Sequence, residues 1–283
     1  MQGCLPKVMA VHDLSGFGRC SLTVALPVLS AAGITCVCLP TAVLSTHTGG
    51  FVGYSFTDLT EEMRAIADHW HRENISFQGI YTGYLANCHQ LEIVKDIIAR
   101  FRKENTMVVI DPVLGDENKL YSRFDDQMVS GMRSLCAHAD VIVPNMTEAA
   151  LLTHSPFYRK HQTEEEIHQL LEKLYQLGTK NVIITGVSLQ RGHLGAACYD
   201  GKTFHITMSQ KVRVRYDGTG DVFSSCVTAC LVRGMSLLSA MEVAVHFTHD
   251  SIALTHQNGG NEHHGVDFEA ILHTLRQRME ERL

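Results

Sequence analysis

Asp217-Gly218-Thr219-Gly220-Asp221-Val222-Phe223 stands directly ahead of a run of small and apolar residues with helical character. Two glycines let the backbone turn tightly and leave its N–H groups free. A helix starting behind them adds its own unpaired N–H groups and the positive end of its dipole, so the segment predicts an anion pocket suited to a phosphoryl group. Asp221, at the helix start, is placed to take the proton of an attacking hydroxyl. The same dipole lowers the basicity of that carboxylate. A loose phosphoryl-transfer transition state tolerates this, because it needs positioning and charge neutralisation more than a strong base. Read alone, the segment is equally an ordinary aspartate cap after a glycine turn.

Upstream, short β-branched or apolar runs recur at 8–11, 34–39, 79–81, 107–110, 141–143 and 182–185. Helical patterns lie between them, near 21–32, 58–73, 89–104, 125–137, 147–153 and 163–177. Strands alternating with helices predict βαβ units on a mostly parallel sheet, buried on both faces where in/out alternation is lacking. Beyond Thr185 a hairpin is expected at 196–206 around Asp200-Gly201, then a strand at 212–214. Helices follow at 221–233, 239–256 and 267–281, with Gly234 as a helix stop. No linker, repeat or low-complexity tract divides residues 1–283, which read as one domain. Residues 40–54, PTAVLSTHTGGFVGY, are too polar for a buried strand and too β-branched for a helix. They predict a flap over the carboxyl ends of the strands, where open α/β sheets bind ligands.

Two further turns follow strand candidates. Asp111-Pro112-Val113-Leu114-Gly115-Asp116 sets two acids five apart across a Pro/Gly turn, where a magnesium–nucleotide complex wants carboxylates. Asn145 and Glu148 follow the run at 141–143, and a helix cap explains both as well as a function does. Polar turns after several parallel strands open on one edge of the sheet. Gly16-Phe17-Gly18 suggests a dinucleotide fingerprint, but Ser21 replaces the third glycine and no acid stands about twenty residues on. No G-x4-G-K-[ST] occurs.

Composition excludes other classes. The chain has 283 residues, 45% hydrophobic and 19% charged, enough for a large core and against disorder. A net charge of -6 without any Lys/Arg run argues against a nucleic-acid partner. Lys211, Arg213 and Arg215 read as one solvated strand face. No apolar stretch reaches membrane-spanning length and the start carries no secretory pattern, so a cytoplasmic protein is expected. Nine scattered cysteines read as reduced thiols, and Glu262-His263-His264 as a solvated loop.

In order and spacing, the DPV-x-GD turn, the N-x-x-E step and the GTGD helix start resemble the ribokinase superfamily, and GTGD is similar to its vitamin-kinase branch. Leu44-Ser45-Thr46-His47-Thr48-Gly49-Gly50 resembles the S-N-H-T-G flap of pyridoxal kinases, and Tyr81-Thr82-Gly83-Tyr84 their T-G-Y strand end. The resemblance implies an α/β, ribokinase-like three-layer sandwich, its central, mostly parallel sheet flanked by helices on both faces, with a small flap. It implies ATP-dependent phosphorylation of the 5′-hydroxymethyl group of pyridoxal, pyridoxine or pyridoxamine. Asp221 would be the base, and Gly218, Thr219 and Gly220 the anion hole. Asp111, Asp116, Asn145, Glu148 and Thr185 would serve the nucleotide, with Asp111 and Glu148 holding Mg2+ through water. His47, Thr48 and Tyr84 would line the pyridine pocket. His12-Asp13-Leu14-Ser15-Gly16-Phe17-Gly18 resembles equally the S-D-P-S-G-G-A-G loop of hydroxymethylpyrimidine kinases of thiamine synthesis, which adds Asp13 and Ser15 to the substrate site and makes that reaction the alternative. The family's habits add K+ and a homodimer.

Overall fold

Strand β1 (Lys7–Ser15) is apolar on both sides. Val8 and Ala10 pack into one core while Met9 and Val11 pack into another. The computed structural model describes residues 5–157 and 161–282. After α1 (Leu22–Ala31), β2 (Thr35–Leu44) and the short β3 (Phe56–Asp58) come α2 (Thr60–Arg72), β4 (Gly79–Thr82), α3 (Cys88–Phe101) and β5 (Met107–Ile110). A small hairpin, β6 (Gly115–Asp116) and β7 (Lys119–Leu120), leads to α4 (Asp126–Cys136), β8 (Val141–Ile142), α5 (Met146–Thr153) and α6 (Glu164–Tyr175). The chain closes with β9 (Asn181–Val187), β10 (His193–Tyr199), β11 (Phe204–Gln210), α7 (Thr219–Val232), α8 (Leu237–Gln257) and α9 (Leu272–Glu280).

Nine strands form one sheet in the order β11-β10-β9-β8-β5-β4-β1-β2-β3. Pairing is parallel from β9 through to β2 and antiparallel at both margins. Helices α1, α7, α8 and α9 cover one face, and α2 to α6 the other. This is the ribokinase-like sandwich. From β1 the chain runs outward to β2 and then returns to β4 on the opposite side, so the topological switch point lies between β1 and β4.

The helix starts follow local side-chain chemistry. Asn87, Asp125, Asn145, Thr163 and Ser236 each cap a helix by accepting a backbone N–H. Helix α7, like α1, α2 and α9, has no side-chain cap; Gly218 precedes it at φ 74, and its first N–H groups stay available. Gly234 at φ 89 ends α7 as expected, and Met235 N–H donates to the Cys230 carbonyl.

Two expectations differ. Residues 40–44 belong to β2, because Ala42, Val43 and Leu44 pair with β3; the flap therefore begins only at Ser45. Residues 212–214 form no strand: the β10–β11 hairpin ends at Gln210 and the chain crosses loosely toward α7.

Candidate functional site

The carboxyl ends of β5, β8 and β9, the loop before α7 and one side of α8 enclose a cavity of about 420 Å3. Asp111, Asp116, Asn145, Glu148, Thr185 and Gly218 to Asp221 all line it. Asp111 leaves β5, and its Oδ2 accepts a 2.7 Å hydrogen bond from Ser224 Oγ on α7. Burial pushes the Asp111 carboxyl up to about 7, against that hydrogen bond. Glu148 lies in the first turn of α5, where its two oxygens accept Asn145 N–H at 2.8 Å and Leu114 N–H at 3.1 Å. Burial, and then the charge of Asp111, hold Glu148 well above the usual carboxylate range. Two buried carboxylates that oppose each other's ionisation favour a nearby cation.

Asn145 is the cap that its position allowed. Its Oδ1 accepts Glu148 N–H and its Nδ2 donates to the Gly115 carbonyl, both at 2.9 Å, so the side chain shapes the cleft while its polar atoms are engaged. Asp116 sits at the rim, 2.5 Å from an Arg215 guanidinium nitrogen, and Arg215 also pairs with Glu117. The basic stretch expected as a solvated strand face thus ties the loop before α7 to the β6–β7 hairpin. Thr185 faces the cleft beside Gly186, whose φ of 77 suits glycine.

Asp221 stands on the cleft wall. Desolvation pushes its carboxyl up to about 8; the Ser21 N–H opposes this, and the charges of Asp111 and Asp13 add to it. Burial therefore outweighs the helix dipole that the sequence set against basicity. Gly218 is required twice over: its φ is left-handed, and an added Cβ would lie 1.9 Å from the Arg19 carbonyl oxygen.

The residues expected around the acceptor group separately, outside that cavity. Asp13 is almost fully buried and accepts from Ser15 Oγ at 2.8 Å and Ser21 Oγ at 2.5 Å. Its burial raises the carboxyl's pKa above the ordinary value. Tyr84 stacks on Phe124 at 5.8 Å, and burial pushes its hydroxyl up to about 12. His47 Nε2 lies 2.7 Å from the His263 carbonyl oxygen and its Nδ1 accepts Gly49 N–H at 3.1 Å, so the protein engages both nitrogens and only the ring surface is left to a ligand. Thr48 is exposed. His263 also contacts Asp217 Oδ2 at 3.0 Å, so the loop that read as solvated anchors the flap to the residue ahead of Gly218.

Ser21, Ser224, Arg215 and His263 are the site residues that sequence reading missed. Only Ser224 carried a local signal, one helical turn beyond Asp221 and on the same helix face. The others act across long separations in the chain.

The phosphomethylpyrimidine kinase family matches residues 25–267. The chain belongs to that family. A Bacteroides thetaiotaomicron structure described as a phosphomethylpyrimidine kinase, in a crystal form with pyridoxal, is 40% identical, with a TM-score of 0.91 and 96% of each chain covered. The pyridoxal kinase of Lactobacillus plantarum is 30% identical, with a TM-score of 0.89 over 98% of this chain and 99% of that one. A pyridoxal kinase of Schizosaccharomyces pombe is 28% identical over 68% of this chain and 57% of its own length, so this phosphomethylpyrimidine kinase family member spans little more than half of that relative.

Proposed function

We propose that the chain transfers the γ-phosphoryl group of ATP to the 5′-hydroxymethyl oxygen of pyridoxal, pyridoxine or pyridoxamine. One observation carries the reading: Asp221, a carboxylate with raised proton affinity, sits at an uncapped helix start against the Gly218–Gly220 turn. The acceptor oxygen attacks the γ-phosphorus while its proton passes to Asp221; the bond to the β-phosphate oxygen breaks and ADP leaves. The amides of residues 218–220 stabilise charge developing on the transferred group. Structural likeness to the pyridoxal-bound relative supports the acceptor.

Mg2+ fits Asp111 and Glu148, whose mutual repulsion a cation relieves. Among the described residues no group of three or more His, Cys, Asp or Glu forms a complete metal cage, which suits an ion that binds one or two carboxylates together with phosphates. When bound, Mg2+ supplies charge neutralisation at the triphosphate.

The second reading, a hydroxymethylpyrimidine kinase, is favoured by the family's description and by Asp13 and Ser15 in the first loop. Turnover of pyridoxal and of the aminopyrimidine alcohol, measured side by side with ATP, separates the two. Faster transfer to pyridoxal supports the first, and the reverse order assigns the second.

A pH profile tests the base. Asp221 acts only when ionised and its carboxyl is pushed up to about 8, so kcat/KM should climb about tenfold per pH unit below that value and level above it. A flat profile between about pH 6 and 8 would count against Asp221 as base.

The same reading includes a single domain, a homodimer and a cytoplasmic location. Nine of the eleven strands joined in one sheet support the first. Leu14 and Val43 are registered partners on β1 and β2, and both are exposed, which suits an apolar contact with a second copy. Val43→Asp should shift the mass measured by light scattering toward that of one chain; an unchanged mass removes that face from the interface. The eight cysteines among the described residues are free thiols, which suits a reducing compartment; Cys4 lies outside those residues. No helix among the described residues is long and apolar enough to cross a membrane.

A further inference from the structure

We propose that Ser21 is a positioning residue for phosphoryl transfer, orienting the Asp13 carboxylate from a turn that packs against the Gly218–Asp221 start of α7. Its Oγ donates to Asp13 Oδ1 at 2.5 Å, and the two residues before it pack so closely on the start of α7 that a Cβ on Gly218 would lie 1.9 Å from the Arg19 carbonyl oxygen and 3.5 Å from Cys20 Cα. Ser21 is 6% exposed and Asp13 5%, so water cannot readily replace that hydrogen bond.

The backbone makes the case specific. Ser21 has φ 51 and ψ -128, a conformation that glycine adopts freely and residues with a Cβ adopt at a cost. Position 21 is where the glycine-rich fingerprint would place its third glycine. A serine keeps the turn that a glycine would make there, and adds a hydroxyl. The surrounding turn over-determines the strained geometry: Val24 N–H and Ala25 N–H donate to the Ser21 carbonyl at 3.1 and 2.9 Å, and Cys20 N–H donates to Thr23 Oγ1 at 3.2 Å. Glycine would relieve the strain and keep the turn against Gly218, but it would leave Asp13 Oδ1 without its donor from Ser21. What the serine contributes is therefore the hydroxyl and the carboxylate it orients.

Asp13 and Asp221 are close enough for the charge of one to act on the other. Two like charges drift apart unless donors hold them. Ser21 supplies the donor to Asp13 from the start of α1, and the turn leading into it packs on the Gly218 turn ahead of Asp221, so the two carboxylates are held by one piece of backbone. Asp13 has a second donor in Ser15, which fixes its other oxygen. The pair is thereby oriented before substrate arrives, which is the condition for efficient transfer.

The inference rests on the kinase reading above, and its test separates the two. Ser21→Gly and the wild-type chain are assayed with ATP and pyridoxal, and their melting temperatures compared. If the wild type transfers no phosphoryl group to pyridoxal, the functional reading fails. Given an active wild type, Ser21→Gly should melt at or above the wild-type temperature, because strain is relieved, yet show kcat lowered roughly ten- to a hundredfold with KM for ATP unchanged. Stability and rate then move in opposite directions, which a purely structural role cannot produce. In an Asp13→Ala background the glycine substitution should cost little more, because either change alone removes the contact. Wild-type kcat in Ser21→Gly overturns the proposal. So does a variant that melts lower and slows in proportion, and so do effects of the two substitutions that multiply independently.

Discussion

Asp221→Asn is expected to lower turnover by about two to four orders of magnitude while ATP binding stays nearly unchanged. Asparagine matches aspartate in shape, so the first turn of α7 and the Gly218–Gly220 amides keep their places. What disappears is a group able to accept a proton. The carboxylate at this position is unusual because burial raises its proton affinity to about 8, despite its place at the positive end of a helix. A carboxyl adjusted in this way matches the working pH better than one near its ordinary value. The substitution also replaces a buried group whose ionisation desolvation and the charges of Asp111 and Asp13 oppose, so the melting temperature should hold or rise. Steady-state turnover, calorimetric ATP binding and a melting curve on the same preparation check all three expectations. Near-normal turnover, or lost activity explained by unfolding, would defeat the role given to Asp221.

The layered α/β fold was readable because its parallel strands are buried on both faces, leaving short runs such as Met107–Ile110 with no polar interruption. The cap at Asn145 marked the start of α5 locally. Asp111 and Asn145 were readable as cleft residues because they follow β5 and β8, and parallel strands end on one edge. What the sequence hid depends on distant partners. Residues 40–44 read as flap because the pairing with β3 that makes them strand is invisible in their polarity. Arg215 meets Asp116 across 99 positions, Ser224 meets Asp111 across 113, and His47 meets His263 across 216. No local pattern predicts such contacts. The balance at Asp221 was hidden for a related reason: the dipole is a property of the adjacent helix, whereas desolvation is set by the whole fold around it.

Acid should weaken the fold through His12, by an amount that one variant can isolate. The imidazole is fully buried at the end of β1, edge-on to Tyr81 with ring centroids 4.3 Å apart, and it packs so closely on Gly83 that a Cβ there would lie 2.2 Å from Nδ1. Neither ring nitrogen has a hydrogen-bond partner. Burial therefore lowers its pKa from 6.5 to about 3. The folded chain resists a proton that the unfolded chain accepts, so stability is full above the unfolded value and is lost as pH falls toward the folded one. Each unit is worth about 1.4 kcal/mol, which makes the loss over this window roughly 4 to 5 kcal/mol. Asp111, Asp221 and Glu148 act oppositely, since their raised proton affinities favour the folded chain as pH falls. The total stability curve is thus a poor test, and the difference between two proteins is a good one. His12→Phe keeps a ring of similar size and removes two unpaired polar atoms, so at neutral pH it should be at least as stable as the wild type. Its advantage measured by urea unfolding should then grow steadily below about pH 6.5 and level off near 3. His12→Asn, smaller and also unable to titrate, should show the same growth from a lower starting point. A difference that stays constant across the window in both variants would mean that His12 carries its proton in the folded chain, and hence that water or a ligand reaches its ring.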